Sequence, residues 1–305
     1  MPSPDAGVLA VFGPTASGKT AVAESVADRI GGEVVSADSM QAYAGLPILT
    51  AQPERPTRLV GIWPLTHEGS VAEYAELAQR EIDALLAAGR TPVLAGGTGL
   101  YLRAALADLD VPPAPSREQR EHWERLYDRL GPERAHAALL ERDPEAGARL
   151  HPNDRRRIVR ALELTELGSS LRPQTDRLWA GETRQLTIVF GLEVPREVLT
   201  ERIELRAQRM FDAGVVEEVR AALDAGVSST ALHALGLREV AELPRDEAFA
   251  ALVLRTRRYA AYQRKWMRRI PGLVSVNANR PPDEVANEIV EVASARQRLS
   301  PGRAS

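Results

Sequence analysis

Val8-Leu9-Ala10-Val11-Phe12-Gly13-Pro14-Thr15-Ala16-Ser17-Gly18-Lys19-Thr20 decides the fold of this 305-residue chain. Five consecutive apolar residues read as a strand buried on both faces, the pattern of a parallel sheet. Gly13 to Thr20 then match G-x-x-x-x-G-K-[ST], in which backbone amides wrap a phosphate chain and the Lys reaches its terminal oxygens. Lys19 to Ile30 predicts a helix whose N-terminus adds its positive dipole end to that nest. Of 39 Lys and Arg residues, only Lys19 and Lys265 are lysines. A compact ammonium stands in the loop where a forked guanidinium would not fit. The chain is therefore expected to bind a diphosphate or triphosphate. Its expected class is α/β, a P-loop NTPase-like parallel sheet flanked by helices, of the nucleotide-binding, ATP-binding type.

Composition sets the frame around this loop. With 44% hydrophobic and 27% charged residues, the chain can bury a full core and a smaller second domain. No apolar stretch is long enough to span a bilayer, and Met1-Pro2-Ser3-Pro4-Asp5 lacks the basic and apolar regions of a leader. A cytoplasmic protein with no membrane partner is expected. The absence of cysteine excludes disulfides, thiolate nucleophiles and Cys-bound zinc, and the five histidines show no metal-ligand spacing. The formal net charge is −3. The cations are nevertheless segregated: Leu252 to Ile270 carries Arg255, Arg257, Arg258, Arg264, Lys265, Arg268 and Arg269 with no acid among them.

Further strands are expected at Val34–Ser36, Thr91–Ala95, Leu186–Phe190 and Leu273–Val276, with helices at Val71–Ala88 and Pro195–Phe211 between them. Beyond the Pro-rich stretch Val111–Pro115 only helical patterns occur, at Arg117–Leu130, Pro132–Glu141 and Asn153–Leu167. The expected organisation is a core domain over 1–112 and 181–296, an all-helical insertion domain over 113–180, and a frayed tail over 297–305.

Two more stretches carry chemistry. The second strand runs into Asp38-Ser39-Met40-Gln41-Ala42-Tyr43, so Asp38 lies at a strand's carboxyl end, where open α/β sheets bind ligands. A carboxylate there can take a proton, hold magnesium or cap the next helix. The strand ending at Ala95 runs into Gly96-Gly97-Thr98-Gly99-Leu100-Tyr101, at the place where a P-loop ATPase would carry an acidic magnesium ligand. Glycines there permit close approach of a backbone or a flat ligand, which suits a substrate channel.

The set GPTASGKT, DSMQAY and GGTGLYLRA, followed by Asn153 to Glu163, resembles the bacterial tRNA dimethylallyltransferases. Arg202 to Met210, Gly236-Leu237-Arg238-Glu239 and Thr256 to Trp266 match later blocks of that family in order, so the resemblance spans about residues 7 to 270. It implies transfer of a dimethylallyl group from dimethylallyl diphosphate to the exocyclic amine of the adenosine 3′ of certain anticodons, with Mg2+. Gly13, Thr15, Ala16, Ser17, Gly18, Lys19 and Thr20 would then hold the diphosphate, together with Arg206. The Thr20 hydroxyl would ligate the metal, and Asp38 would be the general base. Asp38, Ser39, Met40, Gln41 and Thr98 would meet the target base and its neighbours in the tRNA anticodon stem-loop. Arg120, Arg156, Arg157 and Arg160 would meet the RNA from the insertion, and the resemblance also implies a monomer.

Read without the resemblance, Arg155-Arg156-Arg157 is a solvated helix start capped by Asn153 or Asp154. Tyr259, Tyr262 and Trp266 read as a core stripe at helical spacing. The chain departs from the family pattern at Gln52, where Lys is usual; at Gly61-Ile62-Trp63, in place of a His-rich stretch; at Leu237, in place of Tyr; and at Ala261-Tyr262, in place of a basic pair. The rival readings are a P-loop small-molecule kinase, an adenine-nucleotide prenyltransferase, and a nucleotide-switched binding module.

Overall fold

Strand β1 (Val8–Phe12) is buried along its whole length and pairs in parallel on both sides. In the computed structural model, which describes residues 7–109, 115–171 and 181–299, it is the centre of a five-stranded sheet. The other strands are β2 (Glu33–Ser36), β3 (Pro92–Gly96), β4 (Thr187–Glu193) and β5 (Val274–Asn277). Their order is β2-β3-β1-β4-β5, and every pairing is parallel.

Register places the three motifs together. Phe12 pairs with Gly96, and Ser36 pairs with Ala95. The chain therefore leaves β1, β2 and β3 at one level on one edge, and the loops at Gly13, Ala37 and Gly97 emerge side by side. Helix α1 (Lys19–Ile30) starts at Gly18, whose φ of 92° is left-handed. Its buried residues Val22, Ala23, Val26 and Ala27 recur at helical spacing against the sheet.

Helix α2 (Pro47–Thr50) is short, α3 (Val71–Ala87) is capped by the Ser70 side chain, and α4 (Gly99–Leu106) is buried along most of its length. The insertion carries α5 (Arg117–Leu130), α6 (Pro132–Arg142), α7 (Pro144–Gly147) and α8 (Arg155–Glu166). After β4 come α9 (Arg196–Asp212), α10 (Val215–Ala225), α11 (Leu237–Glu242), α12 (Arg245–Met267) and α13 (Pro282–Leu299). The sequence reading leaves α2, α4, α7, α10, α11 and α13 unassigned. Helix α13 continues through Leu299, past the start of the expected tail, because Val285, Ala286, Ile289 and Ala293 bury one of its faces. Residues 300–305, residues 110–114, which include all of the expected Pro-rich entry but Pro115, and the end of the insertion at 172–180 lie outside the described residues.

The chain divides into two compact units, one of residues 1–108 and 178–305 and one of residues 109–177. The second has its own core of Trp123, Tyr127, Ala135, Leu139, Ile158, Val159, Ala161 and Leu162. Ser116 and Gln119 form a capping box at the start of α5, and the Asp154 side chain caps α8.

A Cβ on Gly96 would overlap the carbonyl of Ala37, because the two loops leave adjacent strands without space between them. Backbone cannot move as a side-chain tip can. Gly96→Ala is expected to lower the free energy of unfolding by about 1–3 kcal/mol, read by urea denaturation.

Candidate active site

The phosphate loop is closed by its own backbone. Ser17 N–H donates to the Pro14 carbonyl at 3.2 Å, and Ala16 and Gly18 have φ of 63° and 92°. Successive amides thus turn towards one concavity, the geometry of an anion nest. One of the expected donors is already committed: Thr15 N–H donates to Gln263 Oε1 at 2.7 Å.

Lys19 folds over this concavity, its Nζ donating to the Pro14 carbonyl at 2.9 Å. Burial pushes its ammonium down from 10.5 to about 8, the Asp38 carboxylate opposes that shift, and the Arg206 guanidinium adds to it. Arg206 reaches in from α9 and donates from Nη1 to Thr15 Oγ1 at 3.1 Å. Burial lowers its pKa too, against the pull of Asp38. Two cations therefore share a poorly solvated space with one carboxylate, and a bound polyanion would relieve their repulsion. Beside Thr15 and Arg206 a pocket is walled by Leu49, Ile203, Ala207, Met210, Leu235 and Leu252.

Asp38 Oδ1 accepts from Met40 N–H at 3.0 Å, an Asx turn that fixes the carboxylate and leaves Oδ2 without a hydrogen bond among the described residues. Gln41 is occupied within the fold: it accepts from Ser36 Oγ at 2.9 Å and donates to the Ala51 carbonyl at 2.9 Å. It holds the DSMQ turn against the following segment. Gln52 does similar work, donating to the Tyr43 carbonyl at 2.7 Å. Thr98 Oγ1 stands 3.5 Å from Ser39 Oγ and 3.3 Å from Tyr259 Oη. Burial raises the Tyr259 phenol, with the Asp38 charge adding to it, so Tyr259 is a neutral hydroxyl at working pH.

The glycines of the GGTG turn admit protein groups. A Cβ on Gly97 would overlap Gln263 Nε2, and one on Gly99 would overlap the Trp266 ring. Gln263, 1% exposed, is what the sequence reading missed. Its Nε2 donates to the Gly97 carbonyl at 3.0 Å while its Oε1 holds Thr15. The available signal was a carboxamide on the buried face of α12, between Ala260 and Met267.

Thr20, in the first turn of α1, makes no hydrogen bond through its hydroxyl among the described residues. A free hydroxyl there suits Mg2+, which keeps several waters and takes its remaining ligands from substrate phosphates. No cluster of three or more His, Asp or Glu able to hold a metal occurs among the described residues.

In the insertion, Glu163 is 2% exposed and draws in two of the expected RNA-contacting residues. Arg160 lies at 3.1 Å from it and Arg120 at 3.6 Å. Arg157 is exposed and within 3.7 Å of Asp154. Arg156 is exposed and forms no ion pair among the described residues. Arg155 pairs bidentately with Asp128.

The IPP transferase family model matches residues 41–270, and an isopentenyl transferase model matches residues 6–59. The chain belongs to the IPP transferase family. A tRNA dimethylallyltransferase of Streptomyces coelicolor is 45% identical over 277 residues, covering 87% of this chain and 88% of that protein. One of Corynebacterium jeikeium is 39% identical over 300 residues, covering 94% and 96%. The crystal structure of the tRNA isopentenylpyrophosphate transferase of Bacillus halodurans superposes with a TM-score of 0.69 at 30% identity, covering 96% of this chain and 98% of that one. Membership agrees with the site: an IPP transferase needs a phosphate cradle without a phosphoryl-transfer acid, and β3 ends in Gly96 where that acid would stand.

Two measurements check this geometry. Removing Gln263 leaves Thr15 N–H and the Gly97 carbonyl without their partner, so Gln263→Ala should cost about 1–3 kcal/mol of stability and weaken diphosphate binding together with it. The depressed Lys19 pKa means the native state binds that proton more weakly than the unfolded chain does. Between about 8 and 10.5 this group therefore adds stability as pH rises, while the cradle loses its ammonium. Calorimetric affinity for inorganic diphosphate, divided by that of Lys19→Met, should fall as pH climbs through about 8.

Proposed function

We propose that this chain transfers a dimethylallyl group from dimethylallyl diphosphate to the exocyclic amine of the adenosine 3′-adjacent to the anticodon, in tRNAs that read codons beginning with U. The observation that carries the reading is the convergence of Lys19, Arg206 and Asp38 beside the Thr98 turn, with no acid at the end of β3. The Streptomyces and Corynebacterium relatives are named tRNA dimethylallyltransferases, which supports the same substrate class.

The chemistry follows from the side chains. The amine nitrogen attacks C1 of the dimethylallyl group, the C1–O bond breaks, and diphosphate leaves with the bonding electron pair. Lys19, Arg206 and the unspent loop amides meet the charge that develops on the departing oxygen. An adenine amine is a weak nucleophile because its lone pair is delocalised into the ring. The uncommitted Asp38 Oδ2 takes its proton as the bond forms, while the Met40 amide holds the other oxygen in place. Mg2+, held by Thr20 and the diphosphate, would supply further charge neutralisation there.

The target base must leave the anticodon-loop stack, at a cost of about a few kcal/mol. Ser39, Met40 and Thr98 would meet it, with Gln41 shaping their turn. Arg156 and Arg157, exposed on the insertion, would meet RNA phosphate, whereas Arg120 and Arg160 would act through Glu163. A monomer acting in the cytoplasm is part of the same proposal. No helix among the described residues is long and apolar enough to cross a membrane.

The purified protein, incubated with Mg2+, dimethylallyl diphosphate and an unmodified anticodon stem-loop containing three successive adenosines, should yield prenylated adenosine by mass spectrometry. Asp38→Ala should lower kcat by about 10²- to 10⁴-fold while diphosphate affinity changes little. ATP consumption with a small-molecule acceptor and no RNA product would favour the kinase instead.

A further inference from the structure

Helix α2 does not stand by itself. Four residues are too few for a helix to hold its shape in isolation, and Leu46, before its first turn, supplies no side-chain cap. The helix ends at Ala51, whose φ of 46° is left-handed, a conformation that costs energy in a residue with a Cβ. The segment is therefore held from outside. At its end, Gln41 donates to the Ala51 carbonyl at 2.9 Å. At its start, the Ile48 and Leu49 amides donate to Glu218 Oε1 and Oε2, on α10, at 2.7 and 2.8 Å.

One bond would leave a pivot, whereas two bonds to the two oxygens of one carboxylate fix direction as well as position. Bonds to an ionised acceptor are also about twice as strong as neutral ones. Burial pushes the pKa of half-buried Glu218 up, and the two amides oppose that shift.

What this clamp orients is Leu49. Its side chain, 4% exposed, is a wall of the pocket beside Thr15 and Arg206. A Cβ on Gly236 would overlap Leu252 and come within 3.5 Å of Leu49 Cδ1, so the two leucines pack against the Gly236 turn and close the pocket there. Thr256, also in the lining, turns its hydroxyl back to the Leu252 carbonyl at 2.7 Å. The lining is otherwise apolar except for Thr15 and Arg206, so the pocket offers polar groups at the phosphate cradle and hydrocarbon elsewhere.

We propose that Glu218 is a positioning residue for selection of the transferred group: its hold on the Ile48 and Leu49 amides keeps Leu49 across the apolar pocket, so that a single isoprene unit fits and a longer chain is excluded. The inference rests on the allylic diphosphate substrate proposed above. Leu49 meets the hydrocarbon, and Glu218 acts through Leu49.

The test compares dimethylallyl with geranyl diphosphate on the full chain, with the anticodon stem-loop as acceptor. Wild type should prefer the shorter chain, and an active wild type that does not distinguish them overturns the proposal. Leu49→Ala should lower that preference, read as the ratio of kcat/KM values, about 10- to 200-fold. Glu218→Gln keeps the size of the side chain and removes one acceptor; it should lower the ratio about 5-fold or more, while affinity for inorganic diphosphate, which has no hydrocarbon, stays within about twofold. In Leu49→Ala, adding Glu218→Gln should change the ratio no further, because one residue acts through the other. A lower melting temperature with an unchanged ratio in Glu218→Gln overturns the proposal, and so do independent effects of the two substitutions. If Glu218→Gln does not fold, Leu49→Ala decides, a fallen ratio supporting the proposal and an unchanged one overturning it. If wild type transfers no prenyl group, the functional reading fails by itself. Calorimetry then decides the pocket: tighter binding of dimethylallyl than of geranyl diphosphate, lost in Glu218→Gln, supports it, and equal binding of both by wild type overturns it.

Discussion

The site depends on one buried carboxamide. Gln263 receives the Thr15 amide on one side and donates to the Gly97 carbonyl on the other, joining the loop after β1, the loop after β3 and α12. Only a side chain with both a donor and an acceptor can make this bridge. In an environment with almost no water, each bond is worth more than on the surface, and an unmade one costs more. The same placement brings Tyr259 to Thr98 and Trp266 to Gly99. A helix remote in sequence therefore sets the distance between the phosphate cradle and the turn proposed to hold the base.

The sheet and the cradle were legible in the sequence because both are local. A run such as Val8–Phe12 has no alternative to burial, and the Gly and Lys spacing of the loop is fixed by phosphate geometry. The bounds of α1 and α5 match their expected residues, since each has a clear start and stop. The short α2 was not legible. Its two first free amides are held by the Glu218 carboxylate of α10, at 2.7 and 2.8 Å, a partner that no local pattern announces. Helix α4 was missed because its near-continuous burial erases the polar face that reveals a helix. Tyr262, 52% exposed, was misread for the opposite reason, since helical spacing tells which residues share a face but not whether that face is covered.

The arginines of the insertion differ in what they already touch. Four were expected to meet RNA, yet Arg120 and Arg160 stand around Glu163, a carboxylate with almost no exposure. A buried charge left alone would be costly, so these cations are needed where they are. What sequence offers as a basic cluster divides in the structure into a part that neutralises the interior and a part, Arg156 and Arg157, that faces solvent.

Electrostatics explains why a phosphate loop suits a reaction in which no phosphoryl group moves. A phosphoryl-transfer site needs an acid at the end of β3 to hold metal against the γ-phosphate. Here Gly96 packs on Ala37, and no carboxylate could enter without separating the strands. The acid stands instead on the neighbouring strand's loop, at Asp38, close enough to raise the Lys19 pKa against its burial. In the empty site Asp38 partly neutralises Lys19 and Arg206. In the proposed reaction the diphosphate would take over that duty, so the leaving anion and the carboxylate proposed as base would exchange the task of neutralising Lys19 and Arg206.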